Sequence, residues 1–330
     1  MELTAWLALL AGVSAAMTWL ALVYARRRNM VDLPGKRRSH TVPTPRGGGI
    51  GIAGALLIGC LVAVAMTAVP VMQTACFAGG LLLVAGVGWI DDHRPLSPWW
   101  RLAVQCLAGG LLAWGLHGAA GRWEWALLTA VLVPVLVNGW KFMDGIEGLA
   151  TTQALLAALA FAWMASGTAW AALAFGAAVV GFLPFNFPRA RIFLGDVGSG
   201  TLGYALAALP SMAAPAQSGL SALVLLLPLS AFLVDASLTL AERMLAREQW
   251  WLPHTSHVYQ LWVKAGRSHA FVTSVYAAFS LVAIIIAVSI DGASPWLAGG
   301  GTVLWFAGAI LGWLRLRRRL SSGKRTEEEA

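Results

Sequence analysis

Charge is scarce in this sequence. Asp, Glu, Lys and Arg make up 12% of its 330 residues, against 58% hydrophobic residues. That is about half the charged share of a soluble globular chain, so the two or three soluble domains that the length would allow are excluded. Cysteine is scarcer still. Cys60, Cys76 and Cys106 are the only three, each inside an apolar run, with neither a disulfide pattern nor metal-ligand spacing. There is no repeat of fixed period and no low-complexity linker. The net charge of +8 would suit nucleic acid only if a soluble domain presented a basic face; no such domain exists, and nucleic acid is not an expected partner. The first residues lack the basic start of a secretory signal, and their apolar stretch is long enough to span a bilayer.

What the chain has instead is long apolar runs. A transmembrane helix needs about 20 apolar residues. Eleven stretches qualify: 3–25, 47–69, 72–90, 100–118, 124–141, 149–166, 169–186, 199–213, 219–242, 269–290 and 295–314. The expectation is an all-α, polytopic membrane protein of 10–11 transmembrane helices, a single integral-membrane domain over residues 1–330. Residues 315–330 form a frayed cytoplasmic tail, basic and then acidic. Seventeen tryptophans fit the bilayer interface. Arg26, Arg27 and Arg28 follow the first run, which puts the N-terminus outside. Alternation then places 26–46, 91–99, 142–148, 187–198, 243–268 and the tail inside. Of the 23 Lys and Arg residues, only Arg122 falls outside that map, the bias that the positive-inside rule expects.

Most acids follow the same map: Asp32, Asp91, Asp92, Asp144, Glu147, Asp196, Glu242 and Glu248 lie in or beside inside segments. A transporter needs polar groups near the midplane, reachable from both sides in turn. Polar groups gathered at one surface suit chemistry there, which predicts an active site on the cytoplasmic face.

Four stretches carry that chemistry. In "VAGVGWIDDHRPLSPWW" an apolar run ends in Asp91 and Asp92, adjacent acids whose repulsion calls for a cation. In "NGWKFMDGIEGLA" Asn138, Asp144 and Glu147 stand where one helix ends and the next begins. In "FNFPRARIFLGDVGSGTLG" Asp196 sits in a glycine-rich turn just before an apolar helix; backbone N–H groups there can face an anion while the carboxylate holds a metal ion. In "WWLPHTSHVYQ" His254 and His257 are three apart. Zinc would need further ligands at readable spacing, so imidazoles holding phosphate oxygens are favoured. The loop "KRRSHTVPTPRGGG" adds His40 and Arg46 in a Pro- and Gly-rich turn of defined shape. Carboxylates suit Mg²⁺, with Mn²⁺ as the alternative, and basic and imidazole groups suit phosphates. The pattern is that of phosphoryl transfer at a membrane surface.

"IDDHRPLSP", "NGWKFMDGIEGLA", "RIFLGDVGSG" and "HTSHVYQ", in this order, resemble the polyprenyl-phosphate N-acetylhexosamine-1-phosphate transferases. That family includes the enzymes that initiate O-antigen and enterobacterial common antigen, and the phospho-MurNAc-pentapeptide translocase. "HTSHVYQ" is closer to the O-antigen branch. The resemblance implies a bacterial inner-membrane enzyme that moves a HexNAc-1-phosphate from a UDP-sugar to undecaprenyl phosphate, releasing UMP and needing Mg²⁺. A homodimer occurs in the family. It also implies roles: Asp196 as metal ligand, Asp91 and Asp92 as the pair that binds metal or deprotonates the lipid phosphate, and Asp144 and Glu147 as the acids of a "DGxDG" motif. Phe193 matches an aromatic that stacks on uracil, His254 and His257 a phosphate grip, and Asn138 and Asn186 polar contacts. Three positions depart from the family pattern: Pro95 where a third acid is common, Glu147 where Asp is usual, and Lys141 where asparagine is common. A direct displacement is expected, with a covalent aspartyl-phosphate as the alternative. The rival readings are a transporter of lipid-linked sugar or ion, and an inactive scaffold of the same family.

Overall fold

The computed structural model describes residues 2–35, 42–66, 69–249, 251–252 and 254–328. The chain runs α1 (Leu3–Arg27), β1 (Val31–Asp32), β2 (Thr44–Pro45), α2 (Ile50–Ala65), α3 (Val71–His93), α4 (Pro98–His117), α5 (Trp123–Met143), α6 (Leu149–Met164), α7 (Ala169–Asn186), α8 (Gly195–Ala213), α9 (Ser230–Leu245), α10 (Val258–Lys264), α11 (His269–Ile290) and α12 (Pro295–Glu328). The strands pair antiparallel, Val31 opposite Pro45. Each of the eleven expected stretches carries helix. Among the described residues eight helical spans are long and apolar enough to cross a membrane: Leu3–Arg27, Val71–His93, Pro98–Ala120, Trp123–Met143, Ser166–Asn186, Gly219–Leu245, His269–Ile290 and Pro295–Leu320. Ile50–Ala65 and Leu149–Met164 are apolar but shorter. This is an all-α, multi-pass membrane protein. Trp99, Trp100, Trp123, Trp163, Trp170 and Trp296 lie exposed at or near helix ends, where amphipathic rings meet the lipid interface.

The centre of the bundle is α8. Every residue from Val197 to Ser211 is buried, which leaves no face for lipid. The helix packs most heavily on α5 and α3. It can be so enclosed because backbones meet without side chains between them. A Cβ at Gly49 would lie 2.1 Å from the Gly198 Cα, so the start of α2 rests directly on the first turn of α8. Large side chains fill the space around it, with Trp140, Tyr204, Phe161, Phe182 and Phe232 fully buried.

Local signals set several ends. Ser97 caps α4 by accepting the Trp99 N–H, with Pro98 at the first helical position. Ser268 caps α11 through the Phe271 N–H. The structure departs from the sequence in three places. Residues 219–229 wind as a 3₁₀ helix before α9, with Pro228 near the junction. Helix α8 starts at Gly195 rather than 199, which places Asp196 inside its first turn. The expected frayed tail is instead a continuation of α12 to Glu328. Arg317 anchors that continuation, with its Nε 2.5 Å from Glu242 and an Nη1 donating to the Ser256 carbonyl.

Candidate active site

The C-terminal ends of α1, α3, α5, α7 and α9 and the N-terminal ends of α2, α4, α6, α8 and α11 share one end of the bundle. The motif residues gather there because each stands at such an end. His40 and the basic residues 36–38 lie outside the described residues.

Asp92 closes α3 and reaches the start of α8. Its carboxylate accepts the backbone N–H groups of Asp196 (3.0 Å) and Val197 (3.2 Å), two of the four N–H groups that a helix start leaves without internal partners. This is why α8 begins early. The anion expected in the glycine-rich turn is the protein's own carboxylate. Gly195 permits the approach: it sits at φ +72°, and a Cβ there would be 2.5 Å from an Asp92 oxygen. Arg46 Nη2 donates to the Asp92 carbonyl at 2.5 Å. Both oxygens accept backbone N–H groups and 3% of the residue is exposed, so in this structure the Asp92 side chain is turned to α8. It is the cap that places Asp196.

Asp91 is equally committed. Its Oδ1 accepts the Leu96 N–H at 2.6 Å, and its Oδ2 takes Arg101 Nη1 at 2.5 Å and Lys141 Nζ at 2.9 Å. The cation that the adjacent acids call for is supplied by two side chains. Lys141 also donates to Asp196 Oδ2 at 2.8 Å. The Asp196 side chain is 28% exposed and that of Asp91 3%, so Asp196 is the more open of these two carboxylates.

Asp144 caps the end of α5. Burial, then the like charges of Asp196, Asp92 and Asp32, push its carboxyl well above the usual carboxylate range. The folded chain therefore holds this proton more tightly than the unfolded chain does. Ionising Asp144 in the folded chain costs stability, and that cost fades as pH falls through the folded value toward 3.8. Asp144→Asn, assayed by thermal unfolding in detergent and chelator, is expected to melt about 2–6 °C higher at pH 8. The gap should narrow at pH 5; an unchanged or lower melting temperature at pH 8 would contradict this.

The histidine loop closes the site from the side. His254 and His257 lie 4.9 Å apart between ring centroids, and His257 stacks on Phe142 at 6.0 Å. The His254 Nδ1 pairs with Ser256 Oγ at 2.8 Å. Burial lowers both imidazoles, His254 to about 4, with His257, Arg243 and Arg317 adding to its shift. His254 is therefore neutral at pH 7, and burial favours the neutral form of His257. Their loop is held by Asp235, which the sequence reading did not single out. This buried acid of α9 accepts the Val258 N–H (3.1 Å), Trp313 Nε1 (2.9 Å), Thr239 Oγ1 (3.2 Å) and the Tyr276 hydroxyl (2.7 Å). Its one signal was a lone acid in the apolar run 219–242, and such residues mark function or structure by default. Arg101, a basic residue ten positions after Asp91, was likewise passed over. Tyr259 bonds the Phe142 carbonyl at 3.0 Å and packs against Gly145, tying the histidine helix to the Asp144 turn.

Other expected contacts serve the scaffold. Asn186 is buried, accepts the Gly148 N–H at 3.0 Å and donates to the Ile192 carbonyl at 3.2 Å, so its side chain is spent holding two loops together rather than meeting a substrate. Glu147 accepts the Ala190 N–H at 3.1 Å and pairs with His269 at 3.3 Å. Asn138 donates to Gln105 at 2.6 Å and to the Pro134 carbonyl, within the α4–α5 packing. Phe193 is half-buried, and its backbone pairs with Pro45 and Gly48, beside the start of α8.

Among the described residues no group of three or more His, Cys, Asp or Glu is placed to hold a metal ion. A full protein cage is therefore not what this site offers. Mg²⁺ differs in this respect, since it keeps waters and binds through one or two carboxylates plus substrate phosphates. Asp196, partly open, and Asp144, raised by burial and then by the acids around it, fit that demand: hard oxygens near like charges that a divalent cation would relieve.

Residues 74–214 match the description of glycosyl transferase family 4. The chain is 31% identical to a decaprenyl-phosphate N-acetylglucosaminephosphotransferase of Mycobacterium tuberculosis, over 86% of this chain and 82% of that protein. It is 28% identical to a probable undecaprenyl-phosphate N-acetylglucosaminyl 1-phosphate transferase of Bacillus subtilis, over 81% and 79%. A phospho-N-acetylmuramoyl-pentapeptide-transferase of Moorella thermoacetica is 32% identical over 53% of this chain and 64% of its own length. Identity at that level along most of two chains goes with one fold, and the matched segment contains Asp91, Asp92, Asp144 and Asp196: the chain belongs to glycosyl transferase family 4.

Proposed function

We propose that this protein transfers a sugar 1-phosphate from a nucleotide sugar to a polyprenyl phosphate. The donor is a UDP-N-acetylhexosamine, the acceptor undecaprenyl phosphate, and the product begins a lipid-linked cell-surface polysaccharide such as O-antigen. The carrying observation is the cluster of Asp91, Asp92, Asp144 and Asp196, threaded by Lys141, Arg101 and Arg46, with His254 and His257 at the same end of the bundle. The named relatives, which act on polyprenyl phosphates by their names, support it. The basic residues at this end support a cytoplasmic orientation. Gathering of the acids at one end argues against a transporter.

An acceptor phosphate oxygen attacks the β-phosphorus of the donor, the bond to the bridging oxygen breaks, and UMP leaves. A phosphate's second pKa is near 6, so the acceptor arrives largely as a dianion and no protein base has to take its proton. That agrees with Asp91 and Asp92, whose carboxylate oxygens are already engaged. Asp196 and Asp144 would hold Mg²⁺ (or Mn²⁺), which when bound offsets the charge developing on the phosphates. His254 donates to phosphate oxygens, and Phe193 offers a face to the uracil. A direct displacement needs no covalent enzyme intermediate.

The test is UMP release by detergent-purified protein given undecaprenyl phosphate and a panel of UDP-N-acetylhexosamines, with Mg²⁺ or with chelator. Lipid- and Mg²⁺-dependent UMP from one donor is the expected result. Folded protein that releases none from any donor would favour the inactive scaffold.

A further inference from the structure

Among the described residues Lys141 is the one cation that touches two carboxylates of the cluster, 2.9 Å from Asp91 and 2.8 Å from Asp196. Asp91 has no need of it for a counter-charge, because Arg101 already lies 2.5 Å from the same oxygen. The ammonium therefore matters most at Asp196, the open carboxylate. A divalent cation bound there would sit about 2.0–2.1 Å from its oxygens, inside the distance at which Lys141 now stands. Two cations on one carboxylate repel. An uncharged residue at position 141 would leave Asp196 to the metal alone.

We infer that Lys141 is a tethered counter-ion: it preassembles Asp91 and Asp196 in the absence of metal, and competes with the divalent cation for Asp196. It is a positioning residue that sets how tightly the ion binds. This rests on the reading that a divalent cation serves the transfer at this site.

The experiment is Mn²⁺ binding to the purified full-length protein by electron paramagnetic resonance, with no nucleotide sugar and no polyprenyl lipid present. One unit of charge at this range changes ion affinity by about tenfold or more. Lys141→Gln is expected to bind Mn²⁺ at least about tenfold more tightly than the wild type, and Lys141→Arg, which keeps the charge, within a few-fold of it. Lys141→Met, with a side chain of similar reach, provides a second neutral variant if the glutamine form does not fold. Mn²⁺ affinity that is unchanged or weaker in the folded neutral variants overturns the inference, as does a wild type and variant set that binds no Mn²⁺. Because the readout needs no turnover, it stands apart from the donor assay. Tighter Mn²⁺ with no UMP from any donor would retain the counter-ion and remove the transferase reading.

Discussion

Asp196→Asn is expected to lower UMP release by about a thousandfold and to leave the fold intact. The argument is local. The Asp196 backbone N–H, held by Asp92 at 3.0 Å, is unchanged by the substitution. The amide oxygen of asparagine can still accept from Lys141, so the bond now measuring 2.8 Å survives in weaker form. What disappears is the negative charge on the open carboxylate. Without it the proposed divalent cation would lose its main protein ligand, and the substrate phosphates the positive charge that would offset theirs. The check is the initial rate of UMP release, with size exclusion and thermal unfolding run alongside. Near-normal turnover in a folded Asp196→Asn protein would remove Asp196 from the metal role.

The second large effect lies away from the acids. Asp235→Ala strips the acceptor from three buried donors besides Thr239: the Val258 N–H, the Trp313 indole and the Tyr276 hydroxyl. Each buried donor left unpaired costs about 1–3 kcal/mol, so roughly 3–5 kcal/mol in all is expected once some regain partners. That corresponds to a melting temperature about 10 °C lower. Turnover falls with it, because Val258 opens the helix that follows His254 and His257. Asp235→Asn separates shape from charge. Its amide oxygen still serves Val258 and Trp313, and the Tyr276 hydroxyl turns to accept from the new NH₂. A mild loss in the asparagine variant and a severe one in alanine would establish Asp235 as an acceptor hub. Equal, large losses would mean that its charge matters.

Much of this was legible in the sequence. Apolar runs located the helices, because a segment in lipid must satisfy its backbone internally. Acids and bases at the run ends located the site, because ionisable groups are costly at mid-membrane. What the sequence could not show was which partner each acid had. Asp91 and Asp92 read as a pair facing a ligand, yet they have different partners, Arg101 and Lys141 for one and the backbone at the start of α8 for the other. Neighbours in sequence at the end of a helix point about 100° apart, so adjacency alone does not make a shared site. Asn186 read as a substrate contact because an exposed asparagine and one spent on two loops look alike in one dimension. Lys141 read as a departure, while its spacing from Asp91 and Asp196, 50 and 55 residues away, carries no pattern.

Helix α8 has 19 residues, and at 1.5 Å per residue it is about 28 Å long, close to the roughly 30 Å hydrocarbon thickness of a bilayer. Asp196 stands in its first turn. Enclosed by helices long enough to span, a helix of that length would put the groups of the proposed reaction near the edge of the oil. A lipid phosphate already floats at that level. The acceptor of the proposed reaction therefore needs no lifting and finds the enzyme by lateral diffusion in two dimensions, and only the donor crosses open water to reach it.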